Sequence, residues 1–391
     1  MYVDLPQAVT HYDPWMLSGE NRFSRFSKGS PRIAYLYERT DNSTFRYRVH
    51  NMIEVIGACW PEASASYFTL EDDQSLLDKV ADSADYVVIC RARYSNQISR
   101  FITRVRKRPG VPLIFDVDDL VFDTSYVHLL MSSLNRPMSQ EIEWDHWFAY
   151  TGRIGETLKQ CDYAITTNEF LGEKIKAYSA LSYSVIPNFM NEWQISHSKK
   201  IWEKKRSTKF KRNQYIHIGY FSGSPTHAKD FAVAESALVK ILEKNSQVRM
   251  RMVGYLDLPK SFLPYKNMIE REKFRDYVNL QTLIGSTEIN IAPLQDNEFT
   301  NCKSELKYFE ASAVGAATIA SPTFTFRNSI SDGINGYISA EHEWEEKIQN
   351  LVDDIQIGSE KSCSVLENAY AHCIDKYTWS SQIGSLKSVF C

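Results

Sequence analysis

The sequence predicts an α/β protein made of two domains, each built on a doubly wound parallel sheet. Three observations support this fold class. Short apolar strands alternate with helix-length segments over residues 32–189, and the same alternation restarts at residue 215. A strongly basic, polar stretch separates the two series. The chain has 391 residues, which suits two domains of about 150–200 residues better than one core.

The first series follows an irregular arm that ends near residue 30. Its strands are predicted where short apolar runs are bounded by polar turns, at residues 32–37, 67–70, 85–92, 111–120, 161–168 and 182–189. Helices are predicted between them, including a basic amphipathic helix over residues 95–108. Because strands and helices alternate, the strands are expected to run parallel.

The second series predicts strands at residues 215–221, 248–254, 288–294 and 317–321, a turn and strand over 330–339, and a final amphipathic helix. We therefore predict an N-terminal domain at 1–190, a basic linker at 191–213, a C-terminal domain at 214–374 and a C-terminal helix at 375–391. The basic segment has two interpretations. It is either a solvated charged helix and linker or a patch that contacts a membrane surface or an acidic glycan.

Composition excludes several classes of protein. A net charge of −3 argues against a nucleic-acid-binding protein. The seven cysteines are scattered and form no CxxC pair, which indicates reduced thiols rather than a disulfide framework or a metal site. No run of 18 apolar residues and no signal-peptide pattern is present. We expect a cytoplasmic protein, with peripheral contact at the inner face of the cell membrane as the alternative role of the basic segment.

The most informative segment is NEFTNCKSELKYFEASAVGAATIAS, residues 297–321, predicted as a polar loop, a helix, a turn and a buried strand. Lys303, Lys307 and Glu310 recur at helical spacing and should share one face. Two lysines at a helix N-terminus suit an anion such as phosphate, and the carboxylate suits sugar or ribose hydroxyls. Gly315 is predicted to end the helix. The alternative is a solvated amphipathic helix.

This segment resembles the donor-site helix of GT-B glycosyltransferases, in particular the large retaining group-1 or family-4 type that includes many bacterial cell-surface polysaccharide transferases. Glu310 matches the second Glu of the family motif, and residues 311–321 follow its pattern. Cys302 stands where the family has its first Glu, which usually contacts the donor sugar, so the resemblance leaves that contact unassigned. The resemblance implies two Rossmann-like domains that face each other across a cleft, with a C-terminal helix that crosses back. It also implies a nucleotide-diphosphate sugar as substrate, with Glu310 on the ribose, and no metal or other cofactor.

The loop after the strand at 215–221 is the second candidate donor element. Gly223 and Ser224 at a strand-to-helix junction suit close approach of the backbone to phosphate. The resemblance implies that Lys229 neutralises the donor diphosphate, and we hypothesise that Lys303 replaces the family's missing Arg. His227 is a candidate catalytic residue that would hydrogen-bond the donor sugar or phosphate. Ser304 completes the predicted donor-binding set.

Three aspartates end the predicted strand at 111–120, where active sites of open α/β sheets gather. Asp116 and Asp118 should point the same way and are candidate bases for an acceptor hydroxyl. Asp119 is a candidate acceptor-binding residue. The alternatives are helix capping and a D-x-D metal site of the GT-A type, which would bind a divalent ion with the donor diphosphate.

Arg46 and Arg48 follow the first strand and are predicted to bind an anionic acceptor or the donor phosphate, unless they are ordinary surface arginines. The expected function is glycosyl transfer from a nucleotide-diphosphate sugar to a hydroxyl of a glycan or lipid-linked glycan, in surface polysaccharide synthesis. The alternatives are a GT-B epimerase and a non-catalytic GT-B partner subunit of a polysaccharide-assembly complex. Retention and inversion both stay open.

Overall fold

The computed structural model describes residues 1–223 and 228–390. These residues form two six-stranded sheets in which all neighbouring strands pair in parallel. Alternate residues of one strand enter two different apolar clusters, as Ile33 and Ala34 show. Both faces of the first sheet are therefore covered. This explains why its strands are continuous apolar runs rather than alternating patterns.

The first sheet has the strand order β2-β1-β3-β4-β5-β6. Its strands are β1 (Arg32–Tyr37), β2 (Ser64–Thr69), β3 (Tyr86–Cys90), β4 (Leu113–Val117), β5 (Tyr163–Thr166) and β6 (Tyr183–Val185). The second sheet has the order β12-β11-β10-β7-β8-β9. Its strands are β7 (Ile216–Ser222), β8 (Val248–Gly254), β9 (Ile269–Glu272), β10 (Ile289–Ala292), β11 (Ala317–Ala320) and β12 (Tyr337–Ile338).

The helices of the first domain are α1 (Gly19–Phe26), α2 (Asn51–Cys59), α3 (Gln74–Ser83), α4 (Asn96–Val105), α5 (Val127–Ser133), α6 (Glu141–Lys159) and α7 (Glu169–Ser179). A π-helix, Arg46–His50, precedes α2. The remaining helices are α8 (Glu192–Ser207), α9 (Ala228–Lys244), α10 (Tyr277–Ser286), α11 (Glu298–Asn301), α12 (Leu306–Ser312), α13 (Phe324–Ser329), α14 (Trp344–Ile357), α15 (Glu360–Lys376) and α16 (Ile383–Phe390). Within the described chain, none of them has both the length and the hydrophobicity to cross a bilayer.

The C-terminal helix crosses back onto the first domain, as the sequence analysis predicted. The chain leaves the first domain at Met190, whose backbone N–H donates a hydrogen bond of 2.9 Å to Tyr377 O. Leu386 and Phe390 of α16 then join the apolar cluster on one face of the first sheet. The centres of the Phe390 and Tyr86 rings lie 5.3 Å apart. The chain thus passes twice between the domains at one place.

The basic segment at 191–213 contains the predicted helix, but one side of that helix is buried rather than solvated. Most of it is helix α8, which begins at an Asn191 side-chain cap and has a buried side that packs along α10. Lys205 on that side is 1% exposed, because its ammonium donates to the carbonyl oxygens of Gly285, Val314 and Gly315 at 2.6–2.8 Å. These are the ends of α10 and α12, where unpaired carbonyls attract a cation. The lysines at 199, 200 and 204 are exposed.

The motif segment begins differently from its prediction. Residues 298–301 form the short helix α11, and α12 starts only at Leu306, so Lys303 lies in the turn between two helices rather than on α12. After α12, Gly315 takes a left-handed conformation with φ of 64°, as glycines that end helices commonly do. The strand β11 follows and is fully buried, as predicted. The edge strand β9, with sequence IERE, and helix α1 in the N-terminal arm were not predicted from the sequence.

Candidate functional site

A cavity of about 720 Å³ lies between the two domains. Residues that follow β1, β3 and β4 form its first-domain wall, and residues near β7, β10 and α12 form the opposite wall. The carboxyl ends of both parallel sheets therefore face the same space, as in other open α/β folds, where ligands bind at those ends. The cavity is large enough for a nucleotide-sized ligand.

Lys307 supplies a buried positive charge to the second-domain wall. It lines the cavity, and its Nζ is buried without a hydrogen-bond partner among the described residues. The ammonium lies 4.5 Å from the centre of the Tyr220 ring. Burial lowers the pKa of Lys307 to about 8, although Asp230 and Glu310 oppose this shift. A buried, unpaired ammonium is unfavourable unless an anion joins it, so this wall is suited to bind one.

Lys303 and Ser304 extend this wall towards the first domain. The Lys303 ammonium lies 3.9 Å from Asp119 Oδ1 and 4.7 Å from the centre of the Phe299 ring. Ser304 Oγ accepts a hydrogen bond of 3.1 Å from Asn188 Nδ2, a first-domain residue. Gly223 also lines the cavity, and apart from its chain neighbours no heavy atom of the described residues lies within 4 Å of the position that a Cβ would take. Lys303, Ser304 and Gly223, which were predicted to bind the donor, thus all line the same cavity.

Glu310 lies on the same wall, 6% exposed, and its carboxylate contacts residues from outside its own domain. Oε1 accepts hydrogen bonds from Tyr47 Oη at 2.5 Å and from Gln194 Nε2 at 3.1 Å. Arg46 Nη2 lies 3.8 Å from the same oxygen. Arg46, predicted to bind the acceptor, therefore lies in the cavity wall beside the predicted ribose-binding carboxylate.

Asp118 and Asp119 line the cavity from the first domain, at the end of β4. Asp118 accepts hydrogen bonds from Thr44 Oγ1 at 2.9 Å and Arg91 Nη1 at 3.0 Å. Arg91 Nη1 also lies 3.4 Å from Asp119 Oδ2. Arg91 has a φ of 44°, a left-handed conformation that is unfavourable for a residue with a long side chain and is concentrated at functional sites.

Asp116 and Arg48 do not reach the cavity, and their assignment as catalytic and acceptor-binding residues is wrong. Both side chains are 0% exposed. Arg48 Nε and Nη2 donate to the two oxygens of Asp116 at 2.7 and 3.1 Å, and Arg48 Nη1 donates to Ile186 O at 2.7 Å. The pair joins the π-helix to β4 beneath the cavity. Both carboxylate oxygens of Asp116 therefore accept hydrogen bonds from Arg48.

The described residues contain no group of three or more His, Cys, Asp or Glu side chains placed to hold a metal ion. The prediction that the protein uses no metal or other cofactor is not tested by this arrangement and stays a prediction. The roles of the individual cavity residues likewise stay predictions.

Lys229 is placed at the edge of the cleft rather than among the residues that line the cavity. Its ammonium is exposed and donates to Ser132 Oγ of α5 at 2.9 Å, so it bridges the two domains. Ser224 and His227, predicted as donor-binding and catalytic residues, lie outside the described residues. Of the residues of this loop that were predicted to bind the donor or act in catalysis, Gly223 and Lys229 lie among the described residues.

Cys302, at the position of the family's first Glu, is turned away from the cavity. It is 0% exposed and belongs, with Phe299, to the apolar cluster of the first domain. Its carbonyl oxygen accepts a hydrogen bond of 2.9 Å from Asn168 Nδ2, which also fixes this turn to the first domain. A carboxylate could not occupy this position without burying its charge.

Three residues of the cavity region were missed by the sequence analysis. Tyr47 and Gln194 contact Glu310, and Arg91 contacts both cavity aspartates. Arg91 could have been found, because it directly follows a buried strand at the carboxyl edge of the sheet. Tyr47 and Gln194 carried no such signal, since they are 263 and 116 residues away from Glu310 in the sequence.

Comparisons with known proteins support a common fold. Residues 214–354 match a family model described as glycosyl transferases group 1. No curated protein matches the chain in sequence. Anabaena HepE, solved in complex with UDP-glucose, aligns with 92% of this chain and 98% of its own at 13% identity and a TM-score of 0.61. Its similarity at this identity establishes the fold alone.

Two further solved structures are similar over their full lengths. Sucrose-phosphate synthase from Thermosynechococcus elongatus aligns with 92% of this chain and 98% of its own, at 12% identity and a TM-score of 0.58. WaaG, described as a glycosyltransferase involved in lipopolysaccharide biosynthesis, aligns with 91% of this chain and 99% of its own, at 11% identity and a TM-score of 0.59. The predicted GT-B fold is confirmed by these similarities together with the two parallel sheets.

Proposed function

Because this chain has the GT-B fold and its second domain is a group 1 glycosyltransferase domain, we propose that the cavity binds a nucleotide-diphosphate sugar whose sugar is transferred to an acceptor hydroxyl. The observation that carries this proposal is Lys307, a buried ammonium that lines the cavity without a hydrogen-bond partner in the described chain. Lys303 lies in the adjoining turn. We propose that these two lysines contact the diphosphate, with Lys229 at the edge of the cleft and Glu310 on the ribose.

We propose UDP as the nucleotide to test first, since HepE was solved with UDP and with UDP-glucose. The bond between the anomeric carbon and the diphosphate oxygen would break as the acceptor oxygen bonds to that carbon. Charge then accumulates on the departing diphosphate, and buried cations lower the energy of that state. The hydroxyl proton would pass to the departing phosphate in a retaining reaction, or to a carboxylate such as Asp118 in an inverting one.

The acceptor side of the proposal rests on helix α6. Trp147 and Tyr150 of this helix line the cavity, and beyond it Ile142 and Phe148 are 74% and 44% exposed. Exposed apolar side chains on a helix that also lines the cavity suit an acceptor that has an apolar part. We therefore propose a lipid-linked glycan acceptor in surface polysaccharide synthesis, reached at the cytoplasmic face of the cell membrane. WaaG, which has the same fold, is a glycosyltransferase involved in lipopolysaccharide biosynthesis, and this supports the proposed role. Comparing transfer to an alkyl glycoside and to the free sugar tests this preference, and equal rates would contradict it.

The donor site is tested by titration calorimetry of the wild type and the Lys307→Met variant against UDP, GDP, ADP, CMP and dTDP, with EDTA and with Mg²⁺. We expect one nucleotide to bind, and Lys307→Met to weaken it about 10- to 100-fold, the range for losing a hydrogen bond between charged groups in a buried site. Lys240→Met is the matched control, because Lys240 pairs with Glu345 on the surface of the second domain. No binding by the wild type, or equal binding by Lys307→Met, would contradict the proposal. Binding without transfer to any acceptor would favour the partner-subunit alternative.

Nucleotide binding should also depend on pH through Lys307. A bound diphosphate raises the pKa of this ammonium, so binding includes uptake of a proton wherever the free residue has lost it. Because the pKa of the free residue is about 8, affinity should be level below that pH. Above it, affinity should fall by up to about tenfold per pH unit until the pKa of the complex is reached. Calorimetry between pH values of about 7 and 9.5 measures this fall. An equal fall in Lys307→Met would assign it to another group.

A further inference from the structure

The carboxylate of Glu310 receives its hydrogen bonds from outside the second domain. Tyr47 Oη and Gln194 Nε2 both donate to Oε1, at 2.5 and 3.1 Å. Among the described residues, no side chain or backbone group of the second domain donates to either oxygen, and Oε2 has no hydrogen-bond partner. Since Glu310 lines the cavity, Oε2 is the oxygen that remains for a ligand.

The groups that contact Oε1 also support one another. Arg46 Nη1 donates to Gln194 Oε1 at 3.1 Å, and the Arg46 guanidinium lies over the rings of Tyr47 and Tyr277, 3.9 and 4.6 Å from their centres. Tyr47, Arg46, Gln194 and Glu310 are each no more than 6% exposed. A network of this kind, buried and mutually hydrogen-bonded, restricts the orientation of its members.

The elements that supply these groups come from different parts of the fold. Arg46 and Tyr47 belong to the π-helix of the first domain, a rare element that is common at functional sites. Gln194 lies in the first turn of α8, directly after the chain leaves the first domain. If the domains moved apart, Tyr47 would leave Glu310, and the carboxylate would lose a charge-assisted hydrogen bond.

We propose that Tyr47 and Gln194 are positioning residues that orient Glu310 so that Oε2 faces the ribose hydroxyls of the donor. This inference rests on the proposed function, in which Glu310 contacts the ribose. Donor binding is then linked to domain arrangement, because the oriented carboxylate exists only while the first domain contacts it. By reciprocity, a bound donor stabilises the same arrangement.

The test compares binding of UDP and 2′,3′-dideoxy-UDP to the wild type and the Tyr47→Phe variant by calorimetry. Removing the ribose hydroxyls should weaken binding to the wild type about tenfold. In Tyr47→Phe, UDP should bind about 5- to 10-fold more weakly, and loss of the ribose hydroxyls should then matter less than about threefold. Gln194→Met should likewise weaken UDP binding and reduce the effect of removing the ribose hydroxyls. Tyr86→Phe removes a hydroxyl from the first domain far from the cavity and should change neither value.

The outcomes separate this inference from the proposed function. If the wild type binds none of the five nucleotides, both are overturned; if it binds another of them, the same comparison is made with that nucleotide and its 2′,3′-dideoxy form. If it binds UDP but the ribose hydroxyls contribute equally in the wild type and in Tyr47→Phe, the donor site stands and the positioning role of Tyr47 is overturned. Tighter UDP binding by Tyr47→Phe would also overturn it, because Tyr47 would then compete with the ribose. If the role of Tyr47 were purely structural, Tyr47→Phe would weaken the binding of UDP and of 2′,3′-dideoxy-UDP by the same factor.

Discussion

The Asp116→Ala variant is expected to lose about 3–5 kcal/mol of folding free energy, the usual effect of removing one partner from a buried ion pair. The reason is that the Arg48 guanidinium would stay buried without its carboxylate. Both side chains are 0% exposed, and their two hydrogen bonds are 2.7 and 3.1 Å long. Urea denaturation, monitored by circular dichroism, measures the loss. Because two domains need not unfold together, the loss is expected in the transition of the first domain.

Two controls separate this effect from general damage. A double variant, Arg48→Met with Asp116→Leu, should regain much of the stability, because replacing both charges by apolar groups removes the uncompensated one. Asp82→Ala, which removes the partner of Arg104 on the exposed surface, should change stability little. If Asp116→Ala instead kept wild-type stability and abolished sugar transfer, Asp116 would be a catalytic residue after all.

The Cys302→Glu variant, which restores the residue type of the family motif, is expected to destabilise the protein by roughly 3 kcal/mol or more. Its carboxylate would enter the apolar cluster of the first domain, where Cys302 is 0% exposed. The nearest ammonium groups already face other carboxylates: Lys174 contacts Glu298, and Lys303 lies 3.9 Å from Asp119. Denaturation of the purified variant measures the loss.

The matched control is Cys302→Ala, which removes only the small thiol and should cost roughly 1 kcal/mol. The comparison tests how the turn at 302 is oriented. If Cys302→Glu were as stable as Cys302→Ala and bound UDP-glucose more tightly than the wild type does, the side chain at this position would face the cavity. The donor-sugar contact of the family would then be available in this chain as well.

The fold was largely predictable because its signal is local. Buried parallel strands are short apolar runs, and β1 and β8 were predicted with their observed bounds. The strand β9 was missed because its sequence, IERE, lies at the edge of the sheet and is only half-buried. Helix α8 looked solvated because composition does not show that Lys205 caps two helix ends.

The candidate site was predictable only in part, because its contacts are between distant residues. Lys303, Lys307 and Glu310 lie within eight positions, and their pattern was visible. The pairing of Arg48 with Asp116 spans 68 residues, and nothing in either local sequence distinguishes a buried ion pair from two cleft residues. Alternation along a strand placed Asp116 and Asp118 on the same side, yet the strand ends at Val117. Asp118 therefore follows the turn and reaches the cavity while Asp116 does not.

The most direct test of the central claim is a crystal structure of this protein with bound UDP. We predict that the diphosphate lies within hydrogen-bond distance of Lys307 or Lys303, and that a ribose hydroxyl contacts Glu310 Oε2 while Tyr47 keeps Oε1. A nucleotide bound at Asp118 and Asp119 through a metal ion, or outside the cavity between the sheets, would contradict the account.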